Sequence, residues 1–517
     1  MTKPSTTIAA TLALAVMLFA GMNCFAATGL LVNAVGSTGA FNAFALAADS
    51  ATSECGDNIW TQKNGGSGID SRSPSIPANT GNIWIVWNNA QTVACSYLAV
   101  DSVIGQQLFF AVPRGTISIS SSLIGSAGGN LIATLTDSPL PSAVYNLVND
   151  KVFNCAPSDI RPEDALFAET RALAALDTVH YNGLGYGPGP VGTTILTAQG
   201  SGKSSTPVAF ALAGKDPITG GTVPGWASTN VAGQVVMVFV NTSDTSAGGL
   251  GSAAVTNVDR FVLADIFNGT LTRTRDLTPA AGLPSVGIHA YLREPTSGTY
   301  NTFEFCIPRS LEINSAQELG VDPSQPDGNP LDITYASGGT RERVIGTGEM
   351  VSTVGATSDA IGYSFWSTTN FAKVISTTKY LTVDGIDPLY PAYLYTNGVF
   401  PTCTAPCPGL IPFTNVLNGS YPIWNILRVT SPTPVPAAVA TLISQAQASA
   451  ANIPDVVPYS SMQVFRAHYF QSGKGPADGF IAGHKESGGD MGGAVFTVQA
   501  DLDVYADTGK EIQGEKQ

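Results

Sequence analysis

Val235-Val236-Met237-Val238-Phe239-Val240 is an unbroken apolar run. Such a run, led in by Gln234, predicts a strand covered on both faces, as in the middle of a parallel sheet. Shorter apolar stretches at Asn82–Trp87, Leu108–Val112, Ala360–Tyr363 and Tyr421–Trp424 predict further strands. Helical spacing appears at Phe41–Ala48, directly after the glycine turn Gly36-Ser37-Thr38-Gly39. It appears again at Glu163–Leu176, introduced by Asp159 and Pro162, and in the alanine-rich stretch Pro436–Ala451. Pro436 stands where a missing N–H costs a helix nothing. Alternating helix and strand signals favour an α/β chain. The Gly/Ser/Pro-rich stretch Tyr181–Asn230 reads as a loop-rich insertion, and the tail beyond Gly509 is polar. No internal repeat is visible.

Composition narrows the class. With 44% hydrophobic and 12% charged residues, the 517-residue chain is neither disordered nor a coiled coil. Its length suits one large or two ordinary domains. Lys3, the apolar run Ile8–Ala20 and Cys24-Phe25-Ala26 predict a signal peptide over 1–26, cut before Ala27. Nothing later reaches the roughly 18 uninterrupted apolar residues of a transmembrane helix. Met22-Asn23 fits a lipoprotein cleavage box poorly, so a soluble periplasmic or secreted protein is expected rather than one anchored through Cys24. Losing 1–26, which carry one cation and no acid, moves the formal charge from −14 to −15. That acidity argues against nucleic acid and anionic membranes as partners, but local donors can still hold a small anion. Six cysteines remain, an even count that favours disulfides after export. Of the 15 possible pairings, Cys403–Cys407 is the one expected.

The clearest chemistry lies at Arg293-Glu294-Pro295-Thr296-Ser297-Gly298-Thr299. A Ser-Gly-Thr turn opening a helix offers hydroxyls and backbone N–H groups to an anion, at the positive end of the helix dipole. An arginine just upstream adds a planar fork. Taken alone, such a turn equally caps a helix that binds nothing. Other signals are weaker. Gly200-Ser201-Gly202-Lys203-Ser204 lacks the first glycine of a phosphate loop. His180, His289, His468 and His484 have no metal-ligand spacing, and His289 reads as a core residue. Asp478, Glu486 and Asp490 read as a solvated loop, and Trp84 and Trp87 as core. No Gly-x-Ser-x-Gly elbow occurs, so neither a catalytic residue, a metal nor a cofactor is expected.

The order of these pieces resembles the phosphate-binding protein of bacterial phosphate ABC transporters, a type II periplasmic solute-binding family. Val35-Gly36-Ser37-Thr38, Asn154–Asp159 with Pro162, Val236–Asn241, Leu263-Ala264-Asp265-Ile266-Phe267-Asn268-Gly269, Arg293 with Ser297-Gly298-Thr299, Ala360–Tyr363 and Tyr421–Ile423 are similar to that family's segments, in its order. The resemblance implies a two-lobed (Venus-flytrap) α/β fold with discontinuous lobes: lobe 1 from 27–235 and 421–517, with insertions near 70–150 and 177–233, and lobe 2 from 236–420. It implies an oxyanion held by Thr38, Gly39 and Ser67 from lobe 1 and by Arg293, Ser297, Gly298 and Thr299 from lobe 2. An ABC permease is the implied partner. Asp159 has a separate role: a carboxylate is acceptor-only, so it admits an anion that still carries a proton and penalises sulfate. The family's acid two residues after the arginine is Pro295 here, with Glu294 beside the arginine instead. The bland alternatives are an interaction protein on the same fold, in which Arg293 serves stability alone, and an Asp159 that merely caps the next helix.

Overall fold

The apolar run at 235–240 is fully buried, as its two-faced pattern requires, but it pairs antiparallel to its neighbours rather than lying in a parallel run. A computed structural model of the chain describes residues 29–160 and 226–466, with breaks of which the longest cover 278–285, 308–332 and 403–410, plus short pieces at 162, 214–215, 222–223 and 495–497. The expected signal peptide, Ser67, the predicted helix 163–176, the glycine-rich loop 200–204 and the Cys403–Cys407 pair lie outside the described residues.

The first lobe contains β1 (Gly29–Gly36), α1 (Phe41–Ala48), β2 (Asn58–Gln62), β3 (Asn82–Trp87), β4 (Val93–Ala99), α2 (Ser102–Phe110) and β5 (Ala156–Ser158). The chain then enters the 16-residue strand β6 (Trp226–Asn241). The second lobe follows with α3 (Arg260–Asn268), β7 (His289–Arg293), α4 (Gly298–Cys306), β8 (Thr340–Val344), α5 (Gly346–Ala356) and β9 (Ala360–Phe365). The return runs through β10 (Trp424–Pro432) and α6 (Ala437–Ser449).

Strand pairing shows the same plan twice. In the first lobe β4 runs parallel to β1, and Ala34 of β1 bridges in parallel to Cys155 at the head of β5. There β10 pairs antiparallel to β5, and the first half of β6 pairs antiparallel to β10. In the second lobe β8 runs parallel to β7, and β7 to β9. The second half of β6 then lies antiparallel to β9, with 378–380 beyond it. Each lobe is thus two βα units and a third parallel strand, completed by one antiparallel strand arriving from the other half of the chain. This is the two-lobed type II arrangement with discontinuous lobes. It also places the strand–helix turns of both lobes at the carboxyl ends of their strands, where open α/β sheets bind ligands.

Packing accounts for several departures from the sequence reading. Leu108–Val112 is not a strand, because 108–110 end helix α2, all nine of whose residues are buried. Burial on every side removes the 3.6-residue rhythm, and Phe109-Phe110 adds a misleading strand preference. Residues 93–110, assigned above to an insertion, supply the first lobe's own second strand–helix unit. The return strand starts at Trp424 rather than Tyr421, and 226–230 belong to β6 rather than to a loop. Trp84 and Trp87 fill the core as expected. His289 is half-buried, its Nδ1 within 2.9 Å of Thr340 Oγ1.

A disulfide joins Cys55 to Cys95 across 40 residues of chain. Strand register brings them together: Cys95 pairs with Val86, and Asn58, three residues after Cys55, pairs with Trp87. Closing a loop of that length removes about 4 kcal/mol of unfolded-state entropy. The double substitution Cys55→Ser/Cys95→Ser is expected to lower the urea-unfolding free energy by that order; unchanged unfolding would show that the bridge does not stabilise this lobe. Cys155 and Cys306 are buried thiols that no disulfide joins among the described residues. Burial pushes the Cys155 thiol up to about 12, which leaves it unreactive.

Candidate functional site

Two strand–helix turns from each lobe meet at one place. In the second lobe β7 ends at Arg293, and Ser297 caps α4, its Oγ accepting from Thr299 N at 3.2 Å. The Arg293 guanidinium is completely buried. Its Nε donates to Glu294 Oε2 at 2.8 Å and its Nη2 to Glu294 Oε1 at 2.7 Å. Glu294 is itself held by Gly346 N, at 3.1 and 3.2 Å, where α5 begins. The acid beside the arginine therefore orients the guanidinium, and the side-on fork belongs to Glu294 rather than to an anion. Nη1 donates to Thr299 Oγ1 at 3.1 Å and to Thr347 Oγ1 at 3.3 Å. Nη2 also lies 4.0 Å from Asp101 Oδ1, across the lobe boundary. The end-on Nη1/Nη2 edge thus faces the meeting point. Burial acts most strongly on the arginine's pKa and lowers it, but the charge and hydrogen bonds of Glu294 together with the charge of Asp101 outweigh burial and raise it, so the side chain stays cationic.

From the first lobe come Ser37, Asp101, Ser102 and Asp159, all buried. Ser37 Oγ donates to Asp159 Oδ1, and Ser102 Oγ donates to Asp159 Oδ2 at 3.0 Å. Burial pushes Asp159 up to about 6, against the lowering effects of those two serines, Arg293 and Arg428. Arg428, on β10, is also buried. Three carboxylates and two guanidiniums therefore surround the site, a balance of one negative charge. A ligand that brings a proton suits that balance better than a fully ionised one.

The lobes touch here. Val103 N donates to Thr296 O at 3.2 Å, and Thr296 Oγ1 to Asp101 Oδ2 at 3.2 Å. A methyl group at Gly298 would stand 2.1 Å from Asp159 Oδ2 and 2.6 Å from Ser102 Oγ. Gly298→Ala is accordingly expected to cost about 1–3 kcal/mol through overpacking, read from urea unfolding. A variant as stable as the original would contradict this close approach.

The structure brings together Asp159, Arg293, Ser297, Gly298 and Thr299. Thr38 and Gly39 sit differently: both are half-buried and line the open cleft above, while Ser37 supplies the buried hydroxyl. Ser67 lies outside the described residues, and Gly68 after it leads into a strand at 69–72 rather than a helix. The second strand–helix turn of this lobe is Asp101-Ser102. Sequence reading missed that pair because it took the helix after it for a strand. An acid followed by serine at a strand end was the available signal. It also missed Ser37, Thr347 and Arg428.

Above the buried groups lies an interlobe cleft of about 780 Å³, whose walls include Thr38, Gly39, Asp101, Gln234, Glu294 and Thr347. Among the described residues no helix is long and apolar enough to cross a membrane, and no group of His, Cys, Asp and Glu is placed to hold a metal.

No protein-family model matches the chain, and no curated protein matches it. Solved structures do. A high-affinity periplasmic phosphate-binding protein (PfluDING) bound with phosphate matches over 83% of this chain and 90% of its own, at 12% identity and a TM-score of 0.35. A phosphate-binding protein from Stenotrophomonas maltophilia matches over 71% of this chain and 84% of its own, at 12% identity and a TM-score of 0.31. An ABC-type phosphate transport receptor from Vibrio cholerae matches over 42% of this chain and 66% of its own, at 16% identity and a TM-score of 0.25. These likenesses concern arrangement at low identity, and the ligand of this chain does not follow from them.

Proposed function

We propose that this chain is an exported solute-binding protein that holds a phosphate group between its lobes and delivers it to an ABC-type permease. One observation carries the reading: a fully buried Arg293, oriented by Glu294 and flanked by the Ser297-Gly298-Thr299 turn, faces the buried Asp159 from the opposite lobe. The end-on edge of the guanidinium and the hydroxyl of Thr299 supply donors from one side. From the other side the start of α2 supplies them, joined by the Ser37 and Ser102 hydroxyls only where these turn from Asp159, to which they donate, toward the anion. Asp159 accepts, so it favours an oxyanion that still has a proton to give. Sulfate has none.

The lobes are joined by β6 and β10, which serve as the hinge. A ligand biases the open–closed equilibrium through contacts with both lobes at once. Trp366 Nε1, donating to Pro454 O at 2.8 Å, and Thr368 N, donating to Asp455 Oδ1 at 2.8 Å, form a second set of contacts that the same motion would make and break. Capture and release involve no bond-making, and 27–235 with 421–517 against 236–420 is the lobe division that fits such a motion.

Calorimetric titration of the mature chain, stripped of bound ligand, tests the reading. Phosphate, and arsenate with it, is expected to bind with a Kd of about 1 µM or below, and sulfate at least a hundredfold more weakly. Absence of heat with every oxyanion would leave the interaction-protein reading in its place.

A further inference from the structure

Gln234 is a buried amide for which nothing described so far has a use. It lies on β6, paired with Asn425 of β10 where β6 passes from one lobe to the other. The side chain is 3% exposed and stands on the cleft wall. Its Oε1 is buried and has no hydrogen-bond partner among the described residues. Buried acceptors of that kind are rare in folded proteins, because water satisfies them in the unfolded chain and nothing replaces it. The amide packs directly on the first anion turn: a methyl group at Gly39 would stand 2.4 Å from Nε2 and 3.1 Å from Oε1. Oε1 is shielded from the cleft as it stands, and a half-turn of the amide exchanges it with Nε2, bringing an acceptor to the place beside the first anion turn that Nε2 holds.

The cleft itself is the second observation. Its volume of about 780 Å³ falls in the range of roughly 300–1,000 Å³ that holds organic ligands, far beyond what four oxygens around one phosphorus fill. Its walls carry neutral amides and hydroxyls next to the anion turns, among them Thr38, Asn42, Gln234, Thr347 and Asn370. Thr347 belongs to both regions, since its Oγ1 lies 3.3 Å from Arg293 Nη1 while the residue lines the cleft.

Resting on the phosphate reading above, we infer that the ligand is a phosphomonoester of a small polyol, its phosphate group in the buried site and its hydroxyls in the cleft, with Gln234 accepting from one of them. A monoester has one proton that titrates at about pH 6, close to Asp159 at about 6, so ester and carboxyl can share one proton between them, whereas a phosphodiester and a sulfate ester have none to share. The hydroxyls of the polyol supply the donor that Gln234 Oε1 lacks. A site that hydrogen-bonds a ligand group discriminates strongly against the analogue without it.

The test is calorimetric titration of the full mature chain, stripped of ligand, with inorganic phosphate, glycerol 3-phosphate and glucose 6-phosphate. At least one ester is expected to bind ten times more tightly than inorganic phosphate. In Gln234→Leu that ratio is expected to fall toward one. Inorganic phosphate binding as tightly as both esters would overturn the inference and leave the phosphate reading intact. An ester preference that survives Gln234→Leu would overturn the role of Gln234. Failure of all three ligands would overturn the phosphate reading itself, so the two failures are distinguishable. The comparison on the unsubstituted chain needs no variant, so a Gln234→Leu protein that fails to fold leaves it decisive.

Discussion

Arg293→Ala is expected to abolish oxyanion binding and to weaken the fold at the same time. Both effects come from the same geometry. The guanidinium is fully buried, bonded twice to Glu294 and once each to Thr299 and Thr347. Removing it leaves Glu294, and Asp101 4.0 Å away, as buried acids without their counter-charge. Breaking a buried pair from one side costs about 3–5 kcal/mol. Loss of the charge-assisted contacts should weaken phosphate binding by at least about a hundredfold, since each such bond contributes about 1.5–3 kcal/mol. Arg293→Lys keeps the charge without the double bond to Glu294, so intermediate stability with poor binding is expected. In Arg293→Ala/Glu294→Gln one uncompensated charge is gone, so part of the stability should return while binding does not. Urea unfolding and calorimetry separate these outcomes. A stable Arg293→Ala protein that still binds phosphate within threefold would remove the arginine from the site.

Asp159→Asn has the second large effect, and it acts on selectivity and on pH dependence. An amide can donate as well as accept, so an anion without a proton no longer meets a like charge and an unmatched acceptor. The preference for phosphate over sulfate is expected to drop by about a hundredfold, the equivalent of two to three kcal/mol. Stability should change in a specific direction. Burial holds the carboxyl at about 6 in the fold, against an ordinary 3.8. A raised acid takes up a proton on folding, so its contribution is most favourable below pH 4. The contribution falls as pH rises from 4 through 6, by roughly 3 kcal/mol, and is level above that. The difference in unfolding free energy between the original chain and Asp159→Asn, measured from pH 4 to 7, should carry that slope. A flat difference would mean that Asp159 is not desolvated, and the selectivity argument would lose its basis.

Much of this was legible in the sequence because it depends on local pattern. The run at 235–240 is apolar on both faces, and it forms most of the second half of the strand shared by the lobes. Ser297-Gly298-Thr299 after Arg293 is a cap with an arginine beside it, and both features act over a few residues. The parts that escaped depend on contacts far apart in the chain. Ser102 meets Asp159 across 57 positions and Ser37 meets it across 122. Neither hydroxyl differs locally from many others. Which hydroxyl of the turn 37–38 faces inward is a matter of register, and the sequence reading chose Thr38 where Ser37 holds the place. The bridge between Cys55 and Cys95 follows from strand order, which cysteine spacing does not reveal. Helix α2 escaped because a helix buried on every side has no polar face to mark its period.

Glu294 shows how a departure from an expected pattern can be read physically. An acid two residues beyond the arginine was expected and Pro295 stands there. The adjacent Glu294 reaches the guanidinium instead, and Gly346 N fixes its carboxylate from behind. Glu294 thus orients the guanidinium from the position beside it.

One phosphate group held between Arg293 and Asp159, from opposite lobes, is the central proposal. A crystal structure of the mature chain grown with phosphate tests that most directly. It should place the phosphorus at the start of α4, with one oxygen about 2.7–3.0 Å from the end of the Arg293 guanidinium and another about 2.5–2.7 Å from an Asp159 oxygen. Phosphate bound elsewhere, or bound with Asp159 turned away and still paired only to Ser37 and Ser102, would contradict it.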